Sequence, residues 1–355
     1  MNAAIDETRE VRAEDSLDLA AVDGFLKRHI AGLDGVPTVR QFPGGASNLT
    51  YLLRYGEREL VLRRPPAGVK AKSAHDMLRE AQVMAALQPH YPHLPAILAC
   101  CDDHAVLGHD FYVMERLHGI ILRRELPAGL GLDQAGVRRL CLGFIDRLVE
   151  LHRVDASLPA LAGLGRGEGY IARQVDGWSG RWRQACTDGT DPCEDVLGWL
   201  AAKQPSRETA ICVIHNDYRF DNVVLHPASL DVVGVLDWEM STLGDPLMDL
   251  GGSLAYWVQA DDDAVFQSFR RQPTHVPGML SRREVVDYYA ARSGRQVDCF
   301  DFHEVFGLFR LMVIIQQIHR RFVLGQTHNP QFAGFGDAAK YMGQRCRRLI
   351  TRSGL

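Results

Sequence analysis

A chain of 355 residues with 44 acidic and 40 basic side chains and 46% hydrophobic residues has the composition of a soluble protein, long enough for two domains or one large fold. The formal net charge of −4 excludes the overall basic field that nucleic acid would need. No apolar run reaches the ~18 residues of a membrane span. Neither partner is expected. The acidic, polar start MNAAIDETREVRAEDS shows no signal peptide, and eight cysteines without a CxxC pair read as free thiols, so a cytoplasmic location is expected.

In chain order, residues 1–15 read as a charged lead-in. Leu17, Leu19, Val22, Leu26 and Ile30 recur at helical spacing. The stretch from Val36 to Pro66 reads as strand, Gly-rich turn, strand, tight turn at Tyr55-Gly56-Glu57, and a third strand ended by Pro65 and Pro66. SAHDMLREAQVMAAL is a helix with Ser73 as its expected N-cap, and HAVLGHDFYVMERLHG is expected to add two strands around a turn. Residues 35–118 therefore predict a sheet of about five strands with one inserted helix. After Gly119 the texture turns helical: LDQAGVRRLCLGFIDRLVELHRVD is a long amphipathic helix, residues 163–200 carry helices with three tryptophans, and helices dominate from Leu247 onward.

The chemistry concentrates in VIHNDYRFDNVVLHPASLDVVGVLDWE, residues 213–239. Its pattern is H-x-D-x-x-x-x-N, followed by a predicted hairpin that ends in Asp237-Trp238-Glu239. A hairpin lays its second strand beside its first, so Asp237 is expected near Asn222 and Asp217. Asp and Asn oxygens suit Mg²⁺, and a second Asp can accept a hydroxyl proton. That combination serves phosphoryl transfer. The alternative for the same residues is a turn rich in capping side chains between core strands.

These segments, with LVLRRPPAG, FYVMERLHG and GYIARQVDGWSGRW, resemble the aminoglycoside phosphotransferase-like small-molecule kinases. The closest branch is the one related to the kinase-like domain fused to some acyl-CoA dehydrogenases. The resemblance runs from about Pro43 to Arg321. It implies an α+β, bilobal protein-kinase-like fold, with a β-rich N-lobe over 1–117 and an α-helical C-lobe over 118–355. It implies ATP, with GTP left open, and Mg²⁺ as cofactors. Asp217 would be the catalytic base, and Asn222 and Asp237 the metal ligands. Gly44, Gly45, Ser47 and Asn48 would lie over the phosphates. Arg63 would take the usual lysine's place and pair with Glu80, and Met114, Glu115 and Leu117 would form the hinge to the nucleotide base. Two departures stand out: Arg63 in place of lysine, and Asp237-Trp238-Glu239 in place of D-F-G. No phosphorylated activation loop is expected, and STLGDPLMDLG should run directly into a helix.

Each candidate has a plainer reading. Glu80 could be a solvated helix charge, and Arg63 an edge-strand charge. His215 reads as a brace for the loop, Asp245 and Asp249 as caps of the next helix, with Asp249 also able to tie down the loop, and Cys212 as a buried thiol. Arg173 and Trp178 could line a substrate cleft; Trp178 could equally pack the core. From Arg310 to Leu355 there are eight Lys or Arg against one acid, Asp337. A basic surface suits an anionic, hydroxyl-bearing small molecule such as a hydroxyacyl-CoA. An antibiotic-modifying kinase of the same fold and a non-catalytic nucleotide- or acyl-CoA-binding relative are the alternatives.

Overall fold

A computed structural model describes residues 8–43, 48–66 and 76–355. The first helix, α1 (Leu19–His29), starts at Asp18, whose carboxylate accepts the Ala21 N–H. Strands β1 (Thr38–Gln41), β2 (Leu49–Tyr55) and β3 (Arg58–Arg64) follow. After α2 (Met77–Leu87) come β4 (Ile97–Cys101), the short helix α3 (His104–Leu107) and β5 (Phe111–Glu115). The five strands form one antiparallel sheet in the order β1-β2-β3-β5-β4.

Alternation assigns the two faces. Tyr51, Leu53, Leu60, Leu62, Phe111 and Val113 bury one face against Val22, Phe25 and Leu26 of α1. Each such side chain stabilises the unit by about 1.5–3 kcal/mol. Arg63 is out of phase with Leu60 and Leu62, so it leaves from the other face, where its cross-strand neighbour is Tyr112. Arg64 returns to the α1 face and bonds the Tyr51 hydroxyl and the Asp15 carbonyl.

The strand count and the single inserted helix between β3 and β4 agree with the sequence, but two assignments change. Residues 104–107 are helical, because Asp103 caps the turn and Gly108 closes it with a left-handed φ of 79°. The missing strand is instead Ile97–Cys101, the sheet-edge partner of β5. Helix α2 is capped by Asp76, which accepts the Arg79 N–H; Ser73 lies outside the described residues.

Beyond residue 132 helices predominate. They are α4 (Gln134–Leu151), α5 (Tyr170–Ala185) and α6 (Glu194–Lys203), then strand β6 (Cys212–Ile214). The hairpin β7 (Val223–Leu225) and β8 (Val232–Val235) follows as predicted. Strand β9 (Thr242–Gly244) pairs with β6 and runs straight into α7 (Pro246–Leu254), capped by Asp245. The chain ends with α8 (Ala264–Ser268), α9 (Arg282–Ser293), α10 (Asp301–Val323) and α11 (Phe335–Arg352). Helices α7 and α10 touch backbone to backbone: a Cβ on Gly307 would stand 2.1 Å from the Gly251 carbonyl oxygen.

Two compact units result. One comprises Met1–Leu132, Leu158–Leu161 and Phe220–Ser241; the other comprises Asp133–Ser157, Ala162–Arg219 and Thr242–Leu355. The division is therefore not one cut near residue 117. The hairpin β7–β8 belongs with the sheet-containing unit, where Ile120, in the segment after β5, pairs with Leu225 through two backbone bonds, both 2.8 Å. No helix among the described residues is long and apolar enough to cross a membrane.

Candidate active site

In the sheet-containing unit the chemistry gathers at the open end of the β7–β8 hairpin. Val223 pairs with Val235, and the Leu236 N–H donates to the Asn222 carbonyl at 2.8 Å. Asn222 and Asp237 therefore leave the hairpin side by side, as its register predicts. Trp238 anchors the turn: it is fully buried, and its indole donates to the Val235 carbonyl at 2.8 Å. Asp237 adopts left-handed backbone, φ 69°, a region that Asp tolerates better than most residues.

Arg63 meets this turn from β3. Its Nη1 donates to Glu80 at 2.7 Å and its Nη2 to Asp237 at 3.0 Å. Glu80 also accepts the Trp238 N–H at 3.1 Å and is 0% exposed, whereas the Asp237 side chain is 32% exposed. Glu80 is thus no solvated helix charge, and Arg63 is no edge-strand charge, since β3 lies between β2 and β5. Burial pushes the Glu80 carboxyl up, and the Arg63 guanidinium opposes it. Breaking such a buried pair costs about 3–5 kcal/mol.

Asn48 behaves differently from the sequence expectation. It is buried, and its amide donates to Glu239 at 2.8 Å, so its side chain braces the Asp237-Trp238-Glu239 turn. Arg79 reinforces the same turn through the carbonyls of Glu239 and Ser241. Sequence reasoning missed both braces, and nothing local signals them. Gly44, Gly45 and Ser47 lie outside the described residues. At the expected hinge, Met114 is buried within the sheet between Val61 and Ile97. The Glu115 N–H is taken by the Ala96 carbonyl at 2.8 Å, and Leu117 is half-buried.

The helical unit holds the other part of the motif. Asp249, fully buried on α7, accepts the N–H groups of His215 and Asn216, both at 2.7 Å, and binds the His152 ring at 3.1 Å. His152 in turn meets the Tyr289 hydroxyl at 2.7 Å. Burial alone would raise Asp249; the His152 bond and charge outweigh it and hold the carboxyl below its ordinary value. Asn216 turns the chain with φ 66°, while Arg310 donates to its carbonyl at 2.7 Å and Tyr170 to its side-chain oxygen at 2.9 Å. His215 braces the loop by accepting the Asp217 N–H at 3.2 Å. The product of this scaffold is Asp217, part-exposed and paired with Arg219 at 3.0 Å.

Other expectations resolve within the same unit. Trp178 is 6% exposed and packs the core, with Arg181 and Arg310 over its ring. Arg173 is exposed and folds back onto the carbonyls of Glu168 and Gly167. Cys212 is a buried thiol whose pKa burial raises. Much of the C-terminal basic tract is spent inside the unit. Arg345 pairs with Asp262, Arg347 with Asp191 and Asp195, and Arg348 with Asp263, so these arginines are not reserved for an anionic ligand.

Among the described residues no cluster of three or more His, Cys, Asp or Glu side chains forms a metal site. Asn222 and Asp237 offer hard oxygen donors without imidazole or thiolate. That fits Mg²⁺, which takes one or two protein oxygens and completes its shell with water and phosphate.

Comparison with known proteins assigns the family and the fold. Residues 38–285 match the model of the phosphotransferase enzyme family. Acyl-CoA dehydrogenase family member 10 of Mus musculus is 31% identical over 357 residues, covering 100% of this chain and 33% of that protein. The chain thus spans about a third of that relative's length. A Ralstonia eutropha protein assigned as an aminoglycoside phosphotransferase superposes with a TM-score of 0.81 at 27% identity, over 96% of this chain and 100% of that one. Choline kinase of Cryptosporidium parvum, at 11% identity and TM-score 0.66 over 94% and 97%, shares the fold. So does the aminoglycoside phosphotransferase APH(4)-Ia, solved with ADP and hygromycin B, at 16% identity and TM-score 0.58 over 94% and 99%. The α+β architecture, antiparallel sheet first and helices after, is the protein-kinase-like fold.

Proposed function

The chain belongs to the phosphotransferase enzyme family, and on that premise we propose that it transfers the γ-phosphate of ATP to a hydroxyl of a small molecule. The observation that carries this reading is the join of Arg63, Glu80 and Asp237 at the hairpin's open end. It puts a guanidinium suited to phosphate beside an oxygen donor suited to Mg²⁺. Asn222 and Asp237 would hold the cation, which supplies charge neutralisation for the terminal phosphates.

The scaffolded Asp217 is the base of this reading. Its carboxylate accepts the proton of the acceptor hydroxyl as that oxygen bonds to the γ-phosphorus. The bond from the γ-phosphorus to its bridging oxygen breaks, and ADP departs with the electron pair. The buried Asp249–His152 pair keeps the backbone of residues 215 and 216 fixed, so Asp217 is presented without further ordering cost.

The acceptor we propose is a hydroxyacyl-CoA. The support is the match of the whole chain to a third of a relative named for acyl-CoA dehydrogenation; Arg345, Arg347 and Arg348, paired with aspartates, add none. The purified protein with Mg-ATP should phosphorylate 3-hydroxyacyl-CoA and leave kanamycin-type aminoglycosides untouched. Turnover of the aminoglycosides alone would replace the acceptor, and no transfer to any alcohol would leave a nucleotide-binding protein without catalysis.

A further inference from the structure

The position that lysine usually fills holds Arg63, and its geometry is one that lysine cannot reproduce. The guanidinium spans two carboxylates, Nη1 on Glu80 at 2.7 Å and Nη2 on Asp237 at 3.0 Å. An ammonium is a single point charge, whereas a guanidinium presents separate donors in one plane. The two contacts are unequal. Glu80 is fully buried and also accepts the Trp238 N–H, so that end is fixed. Asp237 is about a third exposed, so that end opens to solvent. Asp237 itself has little freedom to withdraw, because the fully buried Trp238 holds the turn behind it.

Charge counting gives the consequence. Two carboxylates and one guanidinium sum to −1. A bare divalent cation added on Asp237 would bring the cluster to +1, with Arg63 at ion-pair distance from the ligand carboxylate. A cation arriving with a polyphosphate brings its own negative charge, and its oxygens can take over Nη2.

We propose that Arg63 is a placeholder cation for Asp237: it occupies the carboxylate until a phosphate draws it away, so that a divalent cation enters only as its polyphosphate complex. The inference rests on the nucleotide-and-metal reading of this turn given above. Glu80 keeps Nη1 throughout and acts as the pivot.

The test is Mn²⁺ binding to the full chain, read by electron paramagnetic resonance, first with the metal alone and then with a non-hydrolysable ATP analogue. Arg63→Lys, whose ammonium lacks the two-pronged fork and grips Asp237 less well, should tighten binding of Mn²⁺ alone by roughly tenfold, the size of a one-unit interaction with a neighbouring charge. Glu80→Gln keeps a hydrogen bond for Nη1 but leaves Asp237 as the only carboxylate partner of Arg63, and should weaken binding of Mn²⁺ alone. A general loosening of the unit would move both variants in the same direction. Equal Mn²⁺ affinity in wild type and Arg63→Lys, or shifts of the same sign in both variants, overturns the placeholder while Mn²⁺–nucleotide binding persists. Absence of Mn²⁺ uptake even with the analogue removes the nucleotide reading of the turn, and this inference with it.

Discussion

Asp249 of the helical unit and Asp237 of the sheet unit are held in opposite ways. Asp249 is sealed: two backbone N–H groups and the His152 ring satisfy it, and it is fully buried. Asp237 is about a third exposed and holds one long, displaceable cation, Arg63. The first pattern builds a scaffold, because a buried carboxylate whose bonds are all made inside the fold has nothing left to offer a ligand. The second keeps donor capacity for something that arrives from outside. The units thus divide the labour: the helical unit presents a fixed loop carrying Asp217, and the sheet unit presents an adjustable charge cluster.

By that contrast, Asp249→Asn should cost far more stability than Asp237→Asn. Removing the charge breaks a buried network, and chemical denaturation should show a loss of about 3–5 kcal/mol. A loss under about 1 kcal/mol would mean that the loop does not depend on it.

The next largest effect concerns pH. His303 on α10 is buried, and burial pushes its pKa down to about 4. A histidine whose folded pKa lies below its unfolded value contributes stability that is fully present above pH ~6.5 and is lost as pH falls toward 4. Denaturation of wild type against His303→Leu should show wild type losing about 3 kcal/mol more across that window. Parallel pH curves would contradict the burial argument.

Gly307→Ala, which forces a Cβ onto the Gly251 carbonyl, should cost about 1–3 kcal/mol in thermal or chemical unfolding. Asp237→Asn belongs at the small end. Its ion pair is part-exposed, and Asn also accepts left-handed backbone, so the change in stability should stay below about 1 kcal/mol. Together the two aspartate variants sharpen the contrast: one should cost stability, the other ligand binding.

Much of this was legible in the sequence. Alternation and turn residues marked β1 to β3, and the valine runs around PASLD marked the hairpin whose register brings Asn222 and Asp237 together. The direct run from β9 into α7 was legible too, because Asp245-Pro246 is a strong helix start. Residues 104–107 were misread although Asp103 and Gly108 frame them as a capped turn. The apolar pattern of HAVL fits a strand equally well over four residues. What the sequence could not reveal was long-range pairing. Strand order made Arg63 central instead of peripheral, and Asn48 was claimed by Glu239, 191 residues away. The acid Asp337 was visible near the C-terminal arginines, but their partners Asp191, Asp195, Asp262 and Asp263 were not.

The division of labour is tested most directly by measuring nucleotide affinity and phosphate transfer side by side in Asp217→Asn and Asp237→Asn. Asp217→Asn should bind Mg-nucleotide as wild type does while transfer falls about 10²–10⁴-fold. Asp237→Asn should remain folded but lose metal-dependent nucleotide affinity. Wild-type transfer rates in Asp217→Asn, or unchanged Mg²⁺ dependence in Asp237→Asn, would contradict the account.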